Sequence, residues 1–272
     1  MGQVSNSAEW VRATDVPVLR WPRLDGLGVR AVITSREGGT STGAYASLNL
    51  GLHVGDEPDA VLTNRRRAAA TVGLGLEDLV FCNQAHGRQV ITVTAEDRGR
   101  GAHRVEDAID GVDALVTTDR GVGLVVMVAD CVPVVLVDPD AGVVAAVHSG
   151  WRGTVAKVAG ATVDHMVSMG CRRERLVAAI GPAIPPERYE VGDDVEAAAR
   201  EAFGKDVTQF VLPREGGRWS FDLWTSNRMV LAEAGISEER LLAAEYPTGD
   251  GTAFFSDRAH RPCGRFAAIV RR

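Results

Sequence analysis

The sequence predicts a single α+β domain of mixed strands and helices, and three observations carry that expectation. First, the stretch GVGLVVMVADCVPVVLVDPDAGVVAAVHSGWR, residues 121–152, holds valine-rich apolar runs at 122–128, 132–137 and 143–147. Runs of this length, broken by Asp138-Pro139-Asp140, read as strands buried on both faces. Second, segments of helical period lie between strand-like runs and carry start and stop residues. Third, no internal repeat, linker or low-complexity tract divides the 272 residues, a length ample for one large core. The expected organisation is a polar N-terminal arm, residues 1–17, followed by one domain, residues 18–272.

Taken in order, residues 18–21 and 29–34 read as short strands around a turn at Asp25-Gly26. Residues 35–56, SREGGTSTGAYASLNLGLHVGD, form a glycine-rich loop without periodicity, and loops of that length are usually mobile or functional. Arg36 stands at its mouth, and Asn49 and His53 lie within it. A helix follows Asp56 as cap, with Pro58 in its first turn and a stop at Gly73. Residues 80–82 and 90–94 read as strands around NQAHGRQV, residues 96–107 as an exposed charged loop, and residues 113–117 as a further strand. Across 154–169, Val155, Val158, Ala159, Thr162 and Met166 recur at helical spacing ahead of Gly170 at a C-terminal cap. Residues 177–180 read as a strand, and Asp193 or Asp194 as the cap of a helix through Phe203. Residues 210–212 pair with 219–221 as a hairpin around Glu215-Gly216-Gly217. Asp222 caps a helix through Ala234, Ser237 caps a short one to Leu242, and residues 251–272 read as two strands around a turn.

Composition narrows the partners. Forty-five per cent hydrophobic and 24 per cent charged residues suit a globular protein, and a net charge of −6 argues against nucleic acid or an anionic membrane as partner. No window approaches the ~20 apolar residues of a membrane span. The opening MGQVSNSAEWVRATDVP lacks the basic-then-apolar order of a secretory signal. The 4 cysteines form no CxxC pair, which suits reduced thiols or metal ligands and a cytoplasmic location.

His86 in NQAHG, Cys131 in ADCVP and His148 in AAVHSGW are the leading candidates for chemistry. Each stands at the end or break of a buried run near glycine or proline, where a polar group is costly unless partnered or bound to metal. Zinc favours imidazole nitrogen and thiolate sulfur, a catalytic zinc keeps three protein ligands, and the metal would hold Cys131 as thiolate. The spacing matches no short metal motif, and composition alone favours an inert buried cysteine and two hydrogen-bonded histidines. A metal-free alternative makes Cys131 a nucleophile with His148 as base; the second histidine favours ligation, since a dyad needs only one. In HSGWRG, backbone N–H groups at a helix start and Arg152 would attract an anion, while Trp151 packed inside and Arg152 in solvent explains the same residues. Arg36 and Arg65 are further anion-binding candidates, whereas Arg66 and Arg67 read as a solvated helix face. Asp130 either orients a ligand histidine or ends a strand. His103, His165 and His260 have plain surroundings, and Cys82, Cys171 and Cys263 read as structural thiols.

With these residues in view, the chain resembles the YfiH family, also called laccase-domain, multicopper polyphenol oxidase or peptidoglycan-editing-factor proteins. The blocks that carry the resemblance are SREGGTSTGAYASLNLGLHVGDEPDAV with Asn64-Arg65, NQAHG, DGVDALVTTDRGVGLVVMVADCVPVVLVD, AAVHSGWRGT, IGPAIPPERYEVGDDV, FDLWTSN and FFSDR…GRFAAIV. The resemblance implies a layered α/β/β/α sandwich with mixed sheets, similar to the catalytic domain of cytotoxic necrotising factor, a cysteine-based deamidase. It places the family's zinc ligands on His86, Cys131 and His148, with copper as the alternative metal. It implies a purine nucleoside phosphorylase that cleaves adenosine, inosine and methylthioadenosine with phosphate and also deaminates adenosine. Residues 18–272 would then be the catalytic domain, with Asp130 and Arg152 joining the three ligands in catalysis. Arg36, Asn49, Arg65 and Arg152 would hold substrate or phosphate. A monomer is expected, with a dimer as the alternative. Two departures stand out: QAHG replaces the usual QVHG, and Tyr246-Pro247-Thr248 and Ser256-Asp257-Arg258 replace a cysteine-threonine pair and a tyrosine-arginine-arginine run. Three rivals remain. They are a copper polyphenol oxidase, which 6 histidines with no HxH pair make a poor fit, a cysteine hydrolase of peptide or peptidoglycan-precursor amides, and a non-catalytic zinc-stabilised interaction protein.

Overall fold

The computed structural model describes residues 6–272. Its seven-stranded sheet runs in the order β1 (Glu9–Ala13), β2 (Val16–Arg20), β3 (Arg30–Thr34), β16 (Phe266–Arg271), β8 (Gly123–Val128), β4 (Leu79–Asn83), β6 (Ile109–Asp110). A six-stranded sheet runs β15 (Leu241–Ala243), β11 (Val177–Ile180), β9 (Val132–Asp138), β10 (Val143–Ser149), β7 (Ala114–Thr117), β5 (Val90–Thr92). A small sheet of β12 (Glu190–Val191), β14 (Arg218–Phe221) and β13 (Val211–Arg214) lies beside them. Both large sheets are mixed: β4 and β8 are parallel, as are β5 and β7, while β8 to β16 and β9 to β10 are antiparallel. The helices are α1 (Pro22–Gly26), α2 (Pro58–Thr71), α3 (Trp151–Val155), α4 (Val158–Ser168), α5 (Asp193–Phe203) and α6 (Leu223–Glu233).

The alternation of side chains along each strand sorts the valines into three layers. On β8, Leu124, Val126 and Val128 face Val135 and Val137 of β9 and Val144 and Ala146 of β10 in a core between the sheets. Val125 and Met127 point the other way, against Ala68 and Ala69 of α2. On the far side, Val132, Val134 and Leu136 of β9 pack on Ala159, Val163 and Met166 of α4, Val195 and Ala199 of α5, and Val230 of α6. The result is the layered α/β/β/α sandwich, and it explains why these strands are apolar at every position rather than alternating: both faces are covered.

Several local expectations are corrected. Residues 9–13, assigned to a loose arm, form β1 and pair with β2, whose hydrogen bonds extend the sheet; residues 1–5 lie outside the described residues. Asp56 does not cap α2, whose N-cap is Glu57 without a side-chain bond; its carboxylate instead accepts from Ser41 and Asn49 inside the 35–56 loop. The helix expected over 154–169 breaks into α3 and α4 at Lys157, which is left-handed at φ +57°. Residues 241–243 are strand β15, recruited by parallel pairing with β11, not the end of a helix. Of the two strands expected over 251–272 only β16 forms; the residues before it make turns that bury Phe254 and Phe255 in the core between the sheets. Among the described residues no helix is long and apolar enough to cross a membrane.

Phe266, fully buried between the sheets with its ring 4.9 Å from that of Phe254, anchors this inner layer. Phe266→Ala is expected to lower stability by about 3–5 kcal/mol, measured as a shift in the denaturant midpoint at constant slope.

Candidate metal centre

The site lies at one end of the layer between the two sheets, where chain segments cross from one to the other. Ala129, Asp130 and Cys131 link β8 of the first sheet to β9 of the second. His148, near the end of β10, sits opposite Pro133 in register, which brings it beside that link. His86 follows β4 in a left-handed conformation, φ +58°, and Asp130 is left-handed at φ +86°. Such backbone costs a β-carbon-bearing residue on the order of 1–3 kcal/mol and persists only where surrounding contacts enforce it.

For His86 the enforcing contacts converge on Asp113, fully buried just ahead of β7. Its Oδ1 accepts from the His86 backbone N–H at 2.9 Å and shares a proton with His148 Nδ1 at 2.8 Å. Its Oδ2 accepts from the Gly87 N–H at 2.6 Å. One carboxylate therefore fixes both histidines, and it occupies His148 Nδ1 so that Nε2 is the free nitrogen. Burial alone would raise the Asp113 carboxyl, but the hydrogen bond from His148 and those from the Gly87 and His86 N–H groups hold it below the ordinary carboxylate range.

One ligand atom from each of His86, Cys131 and His148 lies within 4.8 Å of the others. The imidazole rings meet edge to face, centroids 4.7 Å apart. Gly150 completes the cradle: a β-carbon there would come 2.8 Å from Cys131 Sγ and 3.2 Å from the His86 ring. Burial pushes the Cys131 thiol up, but the charge of His148 and hydrogen bonds from His148 and His86 outweigh it and draw the sulfur toward thiolate. Burial likewise opposes charge on His148, and the Cys131 sulfur and Asp113 overcome it. Two imidazoles and a sulfur ready to ionise, beside a cavity, are the donor types and ligand number of a catalytic zinc site, so these residues fit a divalent metal.

The cavity measures about 620 Å³ and is lined by the three donors together with His53, Asp130, Tyr189, Asp257 and four arginines, Arg152, Arg258, Arg261 and Arg265. Sequence-based candidates divide sharply against it. Arg152 and His53 line it. His53 is held neutral, by burial first and then by the charges of Arg265 and Arg65. Asp130 lines it too, but its oxygens accept from Thr248 Oγ1 at 2.5 Å and the Arg258 N–H at 2.7 Å; the carboxylate that orients a histidine is Asp113. The helix after Gly150 is one turn long, so an anion there depends on Arg152 and not on a helix dipole.

Three candidates lie elsewhere. Arg65 is buried, and its donors go to the carbonyls of Leu50, Gly101 and Ala102 at 2.8, 2.6 and 2.8 Å while its guanidinium stacks on Phe81. Asn49, fully buried, accepts from the Gly51 and Arg265 N–H groups and donates to Asp56, clamping the 35–56 loop to the start of β16. Arg36 donates to the Ala46 carbonyl at 3.0 and 3.1 Å and lines a separate cavity of about 360 Å³. All three hold the fold of the loop rather than face the donors. Asp113 and Tyr189 are not among the sequence candidates, and Arg258 is noted only as part of the Ser256-Asp257-Arg258 departure. Asp113 carried a usable signal, a carboxylate directly before three buried apolar residues; Tyr189 carried none.

Residues 30–272 match the family described as multi-copper polyphenol oxidoreductase laccase. The chain is 40% identical over 252 residues to the purine nucleoside phosphorylase YlmD of Geobacillus stearothermophilus, covering 90% of each. It is 38% identical over 232 residues to adenosine deaminase RL5 of an unknown prokaryotic organism, covering 85% of this chain and 88% of that one. Its fold superposes on the crystal structure of the Bacillus licheniformis hypothetical protein YfiH with a TM-score of 0.91 at 31% identity, covering 96% and 98% of the two chains.

Asp113→Asn keeps the shape but removes the charge that orients His148, and zinc affinity is expected to fall about 10- to 100-fold, read by competition with a chelating dye. Arg65→Met strands three buried carbonyls, each worth about 1–3 kcal/mol when unsatisfied, and should lower the melting temperature without altering zinc affinity in the protein that remains folded.

Proposed function

The chain belongs to the multi-copper polyphenol oxidoreductase laccase family, and from that premise we propose that it is a zinc-dependent purine nucleoside phosphorylase that also deaminates adenosine. The observation that carries the proposal is the convergence of His86, Cys131 and His148 on the wall of a cavity large enough for a nucleoside and rich in guanidinium groups. The activities named for the relatives described above support the choice of substrate.

Phosphorolysis brings phosphate to the ribose C1′ as the purine departs, through a transition state of oxocarbenium character. The protein must hold an anion next to a developing cation and ease departure of the base. Cleft arginines supply the first requirement. His86, Cys131 and His148 would hold the metal, which when bound supplies Lewis acidity toward a substrate oxygen or a water. Asp113 keeps His148 aligned, and Val128 and Trp151 add apolar surface to the cavity lining. His53 has no hydrogen-bond partner among the described residues and stays neutral, which suits it to exchange a hydrogen bond with the nucleoside.

A second reading draws on one specific observation: Asp113 is hydrogen-bonded to His148, and a ligand nitrogen of His148 lies within 4.8 Å of the Cys131 sulfur, an order of groups that suits a cysteine hydrolase. It needs only one of the two histidines as base and leaves His86 no more than a supporting contact to the sulfur. Copper oxidase chemistry finds less support, since the described residues hold one three-donor cluster rather than several histidine-rich ones.

Zinc-loaded protein given adenosine and phosphate should release adenine and ribose 1-phosphate, and without phosphate it should form inosine, both read by chromatography. Cys131→Ala and His86→Ala should each be inactive in both assays. Turnover that survives complete removal of metal would overturn zinc dependence and favour the hydrolase.

A further inference from the structure

The four guanidinium groups of the cavity are not equivalent. Asp257 engages two of them, Arg261 at 2.6 Å and Arg265 at 3.1 Å, and Arg265 also donates to the Cys263 and Gly264 carbonyls. Arg152 and Arg258 have no carboxylate at ion-pair distance among the described residues. Each is instead oriented by an aromatic ring: the guanidinium carbon of Arg152 lies 4.3 Å from the Trp151 ring centroid, and that of Arg258 lies 5.1 Å from Tyr189. Stacking uses the face of a guanidinium and leaves its in-plane N–H groups for a tetrahedral oxyanion, which they grip in bidentate fashion. Arg258 is further fixed by a bond from Nη1 to the Glu190 carbonyl at 2.8 Å and from its backbone N–H to Asp130.

We propose that Arg152, Arg258 and the hydroxyl of Tyr189 form an oxyanion subsite beside Cys131, and that it takes the inorganic phosphate co-substrate. The inference rests on the phosphorolysis reading above for its choice of anion. Tyr189 ties the arginines to the donor cluster, since it lines the same cavity as Arg152, Arg258 and Cys131 and carries Arg258 over its ring. Burial is the main reason its phenol is pushed up, so it stays a neutral donor, and its hydroxyl has no partner among the described residues. Two carboxylates line the cavity: the Thr248 hydroxyl and Arg258 N–H already occupy the oxygens of Asp130, and Asp257 is taken up by Arg261 and Arg265. Two unpaired cations and a neutral donor suit phosphate better than the uncharged ribose or purine, which gain nothing from a second guanidinium.

The test measures binding of inorganic phosphate to the zinc-loaded protein by calorimetry, alongside both activities. Arg152→Met and Arg258→Met should each raise the phosphate dissociation constant about 10- to 100-fold, and Tyr189→Phe should raise it by less. The ratio of phosphorolysis to deamination should fall with them, because deamination uses water and not phosphate. Both arginines are exposed, so folding should survive, and melting temperature and zinc content check this; Arg258→Lys, which keeps the charge, should restore part of the affinity. Unaltered phosphate affinity in both methionine variants, or a rise only in the Michaelis constant for nucleoside, would overturn the assignment. Phosphate binding that depends on these residues in a protein without either activity would uphold the subsite and reject the proposed function.

Discussion

A fully buried carboxylate is tolerated only where donors surround it, and Asp113 meets that condition with the His148 ring and the His86 and Gly87 N–H groups. Those bonds tie together segments from both sheets: β4 and the turn after it belong to the first, β7 and β10 to the second. The geometry of the donor cluster is therefore a consequence of satisfying one charge at the end of the inner core. Loosening that carboxylate would release His86 and His148 together.

Packing explains why the cluster sits where it does. Between the sheets, Val126, Val135, Val144 and Phe266 leave no room for a polar group. At the layer's end the strands diverge into turns, and polar side chains reach a cavity without being stranded in the core. The link from β8 to β9 must cross between sheets within a few residues, and it does so through the left-handed Asp130. That sharp crossing presents Cys131 to the cavity, and the absence of a side chain at Gly150 leaves space for its sulfur.

Electrostatics divide the cleft's arginines into a neutralised pair and an unpaired one. Asp257 offsets Arg261 and Arg265, and Asp130 is absorbed by hydrogen bonds. Arg152 and Arg258 keep their charge directed by aromatic stacking rather than by a counter-ion. The protein's overall charge of −6 gives no hint of this local positive field.

The sequence by itself determined the buried strands, the one helix whose expected cap forms and the three metal-ligand candidates, whereas α5 starts from Gly192 with Asp193 and Asp194 in its first turn. Each of these has a local cause: unbroken apolar runs for β8 to β10, Asp222 accepting from the Trp224 and Thr225 N–H groups for α6, and a polar residue placed at the end of a buried run for His148. Only the tertiary structure decided which charged residues serve the site. Arg65 and Arg152 look alike as sequence, yet one is spent on backbone carbonyls and the other faces the cavity. Asp113 displaced Asp130 as the orienting carboxylate, and Tyr189 and Arg258 entered from distant loops. Hydrogen-bond partners far apart in the chain are chosen by how the two sheets stack, and no local pattern of residues encodes that choice.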